Sequence, residues 1–123
     1  MLHIVLATAR PKAMQAFAEA LSSDPAVNLQ RVVSGAEALE AACTTAPHLV
    51  IIDADLPDTA PLDLVQKLLM VNAMANTAVV SPLSDEEFHE ASEGLGILGR
   101  LPAELGTGEA TDLLHKLRQV LGR

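Results

Sequence analysis

The stretch LVIIDADLPD, residues 49 to 58, places three aspartates directly after four apolar residues. An uninterrupted apolar run of this length favours a strand covered on both faces, as in a parallel sheet flanked by helices. Asp53 then lies at the carboxyl end of the strand, where open α/β sheets bind their ligands. A carboxylate at this position could take part in chemistry, contribute to a cation site, or only end the strand as an ionised loop acid.

Polar residues follow two other apolar runs in the same way. Thr8 comes after the first run and Ser81 after the one that follows Asn76. Because the carboxyl ends of parallel strands meet at one edge of a sheet, Thr8, Asp53 and Ser81 are predicted to surround one shallow crevice. A Ca²⁺ or Mg²⁺ cluster of Asp53, Asp55 and Asp58 is a weaker hypothesis, since alternating acids in a short loop seldom converge without a glycine turn.

The elements that position these residues alternate between strand and helix along the whole chain. Apolar runs and helical spacing predict a β-α rhythm repeated five times, and the Ser34 and Ser84 capping boxes mark two helix starts. The predicted strands cover residues 4–7, 27–33, 49–52, 78–80 and 96–101, and the predicted helices cover 11–22, 35 onward, 61–76, 85 onward and 110 to the C-terminus. Right-handed crossovers then favour a single domain, 1–123, with a five-stranded parallel doubly wound, flavodoxin-like α/β sheet in the order 2-1-3-4-5.

Composition excludes several classes of function. Sixteen acidic residues against eight Lys and Arg give a net charge of −8, which disfavours direct binding to nucleic acid. Aromatic residues make up only 2% of the chain, so there is no stacking platform for bases or a flavin ring. The single cysteine, Cys43, is interpreted as a small core residue, and its lack of a disulfide partner favours a reducing cytoplasm. No apolar run is long enough for a signal peptide or a membrane span.

These residues together resemble the receiver domain of two-component response regulators, and the resemblance covers the whole chain. VIIDADLP is similar to the ending of the family's third strand, which makes Asp53 the match for the phosphoacceptor aspartate. SGAEALEAA is similar to the family's second helix. Ser81 matches the hydroxyl residue that contacts the phosphoryl oxygens, and Pro102 matches the proline that ends the fifth strand.

The sequence departs from the family at positions that carry its chemistry. Thr8 and Ala9 stand where the family has two acids that bind magnesium, and Leu101 stands where it has a lysine that pairs with the phosphoryl group. Leu98 replaces the aromatic switch residue, and Pro61 replaces a glycine beyond the acceptor. Phosphoryl transfer depends on positioning and on neutralising the equatorial oxygens. Losing one such electrostatic group typically costs about 3 to 4 kcal/mol, so a slowing by several orders of magnitude is expected.

The departures from the family imply no protein metal site, and no resident cofactor is expected, although weak Mg²⁺ binding by Asp53 and the backbone carbonyl of Asp55 stays open. With the acid pair gone, the hypothesis is that Arg10 or the Thr8 hydroxyl occupies part of the vacated metal site and satisfies Asp53.

Two interpretations of function follow. The first is an atypical receiver, or pseudo-receiver, that acts in signal transduction mainly as a protein-protein interaction module with impaired or absent aspartyl phosphorylation. The alternative is a conventional phospho-accepting response regulator of a phosphorelay that uses Asp53 with weakened Mg²⁺ chemistry; Ser81 favours it, while Thr8, Ala9 and Leu101 favour the first. No enzymatic activity is expected, because no set of nucleophile, histidine and acid is visible. A nucleotide or flavin carrier fits less well, since the loop ATARPKA has no glycine to cradle a phosphate.

The expected partner is a signalling protein, either a histidine kinase or an output domain, in the cytoplasm. Receivers commonly meet partners through the face formed by helix 4, strand 5 and helix 5. Here that face combines the acidic stretch DEEFHEASE with the basic stretch HKLRQVLGR. Opposite charges on adjacent helices suit a two-fold homodimer, which is a further hypothesis.

Overall fold

The structure is a computed structural model that describes residues 2–72 and 74–122. It contains one five-stranded parallel sheet in the order β2-β1-β3-β4-β5, as predicted. The strands are β1 (Leu2–Ala7), β2 (Val27–Val32), β3 (Leu49–Ile52), β4 (Asn76–Val80) and β5 (Gly99–Leu101). The helices are α1 (Gln15–Ser22), α2 (Gly35–Thr45), α3 (Pro61–Val71), α4 (Asp85–Ala91) and α5 (Thr107–Leu121).

The central strands separate two apolar cores. Alternate residues of β1 show this directly, because Ile4 and Leu6 pack on the side of α1 and α5, whereas Val5 and Ala7 pack on the side of α2, α3 and α4. All four residues of β3 are buried, which explains why its sequence is continuously apolar. β2 is an edge strand, and this explains its alternation of buried and exposed residues.

Several predicted boundaries were wrong. The first helix begins at Gln15 rather than at Pro11, because residues 11–14 form turns in which the N–H of Met14 bonds to the carbonyl of Arg10 at 3.1 Å. The third helix ends at Val71 rather than near Asn76, which belongs to β4. The last helix begins three residues early, at Thr107. β5 spans three residues rather than six, since the segment before it contains Gly96 in the left-handed region, at a φ of 63°.

The interpretation of Cys43 as a core residue was also wrong. Helix α2 turns Ala38, Ala41 and Ala42 toward the sheet, whereas Cys43 is exposed. Small side chains at i, i+3 and i+4 form the buried face, and Cys43 lies about 100° around the helix from Ala42. The helix ends at Ala46, which is held in the left-handed region with a φ of 48°.

None of the helices in the described parts of the chain is long and apolar enough to cross a membrane.

Candidate functional site

Three strand ends meet at the carboxyl edge of the sheet. The parallel ladder continues one residue beyond the strands, with the N–H of Thr8 bonded to Val32, that of Asp53 to Ala7 and that of Ser81 to Leu101. The side chains at these three ends are buried, with 4% of Thr8, 0% of Asp53 and 8% of Ser81 exposed. The expected grouping of these residues around one edge is therefore present.

Both carboxylate oxygens of Asp53 accept two hydrogen bonds each. Oδ2 accepts from the Thr8 hydroxyl at 2.6 Å and from Arg10 Nε at 2.8 Å. Oδ1 accepts from Arg10 Nη2 at 2.7 Å and from the backbone N–H of Ala54 at 2.7 Å. Arg10 therefore binds Asp53 through both oxygens, in the fork geometry that makes arginine-carboxylate pairs strong. The contact predicted from the sequence between Arg10, Thr8 and Asp53 is present, and it uses both donors rather than one.

Arg10 is itself held in place by its neighbours. Its backbone N–H donates to the Thr8 hydroxyl oxygen at 2.9 Å, so this one hydroxyl bonds to Asp53 and positions the arginine at the same time. Arg10 Nη2 also lies 3.4 Å from the carbonyl oxygen of Ala103, in the loop after β5. The arginine therefore connects the loops that follow β1, β3 and β5, while 32% of its side chain stays exposed to solvent.

The electrostatics of the pair follow from this geometry. Burial raises the pKa of Asp53, but the hydrogen bonds from Arg10, Thr8 and Ala54 together outweigh it, and the pKa lies below its ordinary value. The hydrogen bond to Asp53 raises the pKa of Arg10 above its ordinary value. Asp53 is therefore ionised at neutral pH. It forms an ion pair in which the aspartate is fully buried and the arginine is partly exposed.

The other acids of the loop do not join Asp53. The carboxylate of Asp58 accepts from the backbone N–H groups of Gly35 and Ala36, at 2.8 and 3.0 Å, at the start of α2. These two bonds lower the pKa of Asp58, and they tie the loop after β3 to α2. Asp55 is exposed. The hypothesis of a cation cluster formed by Asp53, Asp55 and Asp58 was wrong, because Asp58 turns away to cap a helix, and the described residues contain no group of three or more His, Cys, Asp or Glu suited to a metal ion.

Ser81 ends the strand beside Asp53, but its hydroxyl forms no hydrogen bond with Asp53. Its hydroxyl oxygen accepts from the N–H of Leu83 at 3.2 Å, which shapes the loop between β4 and α4. Its carbonyl oxygen accepts from Arg100 Nη1 at 3.1 Å, and Arg100 Nε also donates to Asp85 at 2.8 Å. Arg100 thus lies on the α4 side of β5, while Leu101 packs into the opposite core, as their strand alternation predicted.

The site residues do not fit Mg²⁺, the ion that the family resemblance implies at this position. Mg²⁺ requires oxygen ligands in octahedral geometry and keeps several waters. Here each Asp53 oxygen already accepts from two donors, and a guanidinium cation lies within 2.8 Å of both oxygens. The Thr8 oxygen accepts from a backbone N–H, and Ala9 offers no ligand. Weak Mg²⁺ binding by Asp53 with the Asp55 carbonyl would therefore require Arg10 to leave.

The charged surface expected for a homodimer is partly used within the chain. Arg118, in the basic stretch of α5, forms an ion pair with Asp24 in the turn before β2, on the side of α5 away from α4. Asp85 of the acidic stretch pairs with Arg100. Both pairs reduce the charge left for an acid-base contact between two copies, and the dimer stays a hypothesis.

No protein-family model matches the sequence, and no curated protein matches it either. Solved structures show what the fold is. The chain is similar to the signal receiver domain of the putative response regulator NarL from Mycobacterium tuberculosis, with a TM-score of 0.81 and 19% identity over 99% of this chain and 98% of that one. It is similar to a CheY-like response regulator receiver domain protein from Methanospirillum hungatei JF-1, with a TM-score of 0.81 and 16% identity over 99% of this chain and 94% of that one.

A third similar structure is the signal receiver domain of a putative Luxo repressor protein from Vibrio parahaemolyticus, with a TM-score of 0.84 and 14% identity over 98% of this chain and 92% of that one. The chain thus has the five-stranded CheY-like fold of response-regulator receiver domains. At these identities the similarity defines the fold, and the chemistry must be argued from the residues of this chain.

Proposed function

We propose that this chain is a receiver-like signalling domain that works mainly as a protein-protein interaction module, and that Asp53 is not an efficient phosphoacceptor. The observation that carries the proposal is the Arg10 clamp, in which both oxygens of a fully buried Asp53 are bonded by one guanidinium, one hydroxyl and one backbone N–H. No enzymatic activity is assigned to the domain, and its expected partners are signalling proteins.

The clamp acts against phosphorylation in two ways. An attacking carboxylate oxygen needs a lone pair directed at phosphorus, whereas each Asp53 oxygen already accepts from two donors. An acyl phosphate at Asp53 would also carry about two negative charges, next to the carboxylate of Asp55. Thr8, Ala9 and Leu101 provide neither metal ligands nor a lysine to neutralise them. The adduct would be slow to form and poorly stabilised.

One arrangement in the site favours the alternative, a phospho-accepting receiver. Ser81 ends the strand beside Asp53, and Arg10 is a permanent cation of the kind that stabilises phosphoryl oxygens elsewhere. In that case Arg10 would move from the carboxylate to the phosphoryl group. The alternative therefore predicts an adduct that forms slowly and depends on Arg10.

The test is to incubate the protein with Mg²⁺ and either acetyl phosphate or beryllofluoride, and to follow intact mass and backbone amide spectra. Asp53→Asn is the control that removes the acceptor. We expect no mass adduct and no Mg²⁺-dependent change in the amide spectra of the loops after β1, β3 and β4. A readily formed adduct that disappears in Asp53→Asn would overturn the proposal and establish the phospho-accepting alternative.

A second variant tests whether the missing groups are the cause. In Thr8→Asp/Ala9→Asp/Leu101→Lys the residues that the family uses are restored at the matching positions. If their absence limits the chemistry, this variant should bind beryllofluoride with Mg²⁺ while the parent protein does not. Circular dichroism establishes that the variant is folded, and a folded variant that stays inert would show that the missing acids and lysine are not what limits the chemistry.

A further inference from the structure

An apolar groove opens beside the Asp53 loop, between the start of α3 and the start of α4. We call it the α3-α4 groove. It has a volume of about 400 Å³, and its lining is almost entirely apolar, with Phe88 and Val79 inside and Leu62 and Leu83 toward the rim. Phe88 is one of only two aromatic residues in the chain. Leu83 is 36% exposed although it is a large apolar residue.

Among the described residues, the charged side chain that lines the groove is acidic. Asp55 lines it directly, is exposed, and takes part in none of the ion pairs of the described residues. Asp85 pairs with Arg100 of β5, and the carboxylate of Glu87 accepts from the N–H of Ser84 at 3.3 Å, at the start of α4. Among the described residues, no Lys or Arg lines the groove. With a net charge of −8 on the chain, the groove is an apolar slot with an acidic rim.

We propose that the α3-α4 groove is the docking site for a basic segment of a partner protein, which inserts one large aliphatic or aromatic side chain between Leu62 and Leu83 and places Lys or Arg beside Asp55. The inference rests on the proposed function, because it names the surface through which the interaction module binds. The volume suits one anchoring side chain with its adjoining backbone, and buried anchors of this type dominate binding energy at protein interfaces. Complementary charge on the rim then speeds association and selects the partner.

A second copy of this chain is a poor occupant. Its own basic segment, the end of α5, lies on another surface, and there Arg118 is already paired with Asp24. Docking that segment into the groove of another copy would use two different surfaces, so the contact would propagate head to tail instead of closing as a dimer.

The position of the groove also connects an occupant to the Asp53 loop. Ala54 and Asp55, which directly follow Asp53, form one wall, and Ser81 and Pro82 form another. The N–H of Ala54 is one of the four donors to Asp53. A bound segment therefore contacts the loop that begins at the buried Asp53 and the loop that follows the neighbouring strand, β4.

The test is to select an unbiased phage-displayed library of short random peptides on the full chain, and to measure the enriched peptides on three proteins. These are the parent protein, Leu83→Asp, and the matched control Met70→Asp, which makes the same change on α3 at a residue that is 87% exposed and outside the groove. We expect enriched peptides with one large apolar residue flanked by Lys or Arg. Their affinity should fall at least about tenfold in Leu83→Asp and stay unchanged in Met70→Asp.

Asp55→Asn provides a second variant with little risk to folding, and it should weaken the same peptides, as should added salt. Failure to enrich any peptide, enrichment of acidic peptides, or equal binding by Leu83→Asp would overturn the inference. Concentration-dependent self-association in sedimentation that Leu83→Asp abolishes would assign the groove to a second copy, and would also overturn it. None of these results bears on whether Asp53 forms a beryllofluoride adduct, so failure of the groove and failure of the proposed function are distinguishable.

Discussion

Replacing Arg10 by alanine removes the central contact of the site. In Arg10→Ala, Asp53 keeps the hydrogen bonds from the Thr8 hydroxyl and the Ala54 N–H but loses both bonds from the guanidinium. The carboxylate is fully buried, so the variant contains a buried negative charge with no cation beside it. The contact to the carbonyl of Ala103 is lost as well.

The expected cost can be estimated from burial. Removing one partner of a fully buried ion pair typically costs about 3 to 5 kcal/mol, because the other charge is left uncompensated. Here the arginine side chain is 32% exposed, and water can enter the space that it leaves, while two donors to Asp53 remain. We therefore expect the free energy of unfolding at neutral pH to fall by about 2 to 3 kcal/mol.

The contribution of Asp53 to the pH dependence of the free energy of unfolding should change in sign as well as in size. In the parent protein the pKa of Asp53 is below its unfolded value, so the stability from this group is present above about pH 4 and is lost as pH falls through the native pKa. Without Arg10, the largest of the causes that lower the pKa is lost, and we expect burial to raise the pKa of Asp53 above its unfolded value. The variant should then gain stability as pH is lowered from about pH 7 to about pH 5, where this group gives the parent protein no gain.

Urea unfolding at several pH values measures both effects. Arg31→Ala, which removes an exposed arginine from β2, is the control for loss of one positive charge. Arg10→Lys keeps the positive charge but not the two-nitrogen contact of the guanidinium with the carboxylate. It should therefore be more stable than Arg10→Ala but less stable than the parent protein. The double variant Arg10→Ala/Asp53→Asn should be no less stable than Arg10→Ala, because a neutral amide needs no cation. A loss equal to that of Arg31→Ala, with no gain on acidification, would refute the reasoning.

Five other variants test the surrounding structure, each by urea or thermal unfolding. Thr8→Val should cost about 1 to 2 kcal/mol, because the hydroxyl bonds both Asp53 and the Arg10 N–H; a loss near zero would contradict its role. Gly35→Ala should destabilise the protein, because a Cβ there would lie 2.5 Å from the Thr59 methyl carbon. In Gly108→Ala the added Cβ has no atom within 4 Å, so this variant should stabilise the protein by up to about 1 kcal/mol. A change in stability of the same sign in both variants would refute this reasoning. Ala46→Gly should stabilise by about 0.5 to 1 kcal/mol through relief of its left-handed backbone, and no gain would contradict it. Asp58→Ala should lower the melting temperature at neutral pH, by an amount that shrinks as acid protonates the parent carboxylate; a loss that does not vary with pH would argue against the cap.

The fold could be predicted because its signals are local and repeated. Five apolar runs separated by helical spacing leave few parallel topologies, and the continuous apolar run of β3 identified a central strand. The predicted helix boundary was wrong where nearby residues make a tertiary contact. Arg10 folds back onto Asp53, and the turns after it delay the first helix by four residues relative to Pro11.

The candidate site could be predicted only where strand ends determine it. Thr8, Asp53 and Ser81 are adjacent because parallel strands end at one edge. The role of Asp58 could not be found, because its partners are backbone N–H groups 22 and 23 residues earlier, and backbone donors leave no signal in the side-chain pattern. The bond from Arg100 to the carbonyl of Ser81 was missed for the same reason.

The Arg10 clamp has a consequence for how such a domain could carry a signal. A ligand shifts a conformational equilibrium only by its difference in affinity for the two states. A metal ion and a phosphoryl group can arrive and leave, so they can supply that difference, whereas Arg10 is covalently attached and charged at every physiological pH. It holds the loops after β1, β3 and β5 together without any input. Under the proposed function, the difference in affinity that shifts the conformational equilibrium must then come from a partner that binds elsewhere. The α3-α4 groove is suited to that role, because its walls are the segments that follow Asp53 and β4.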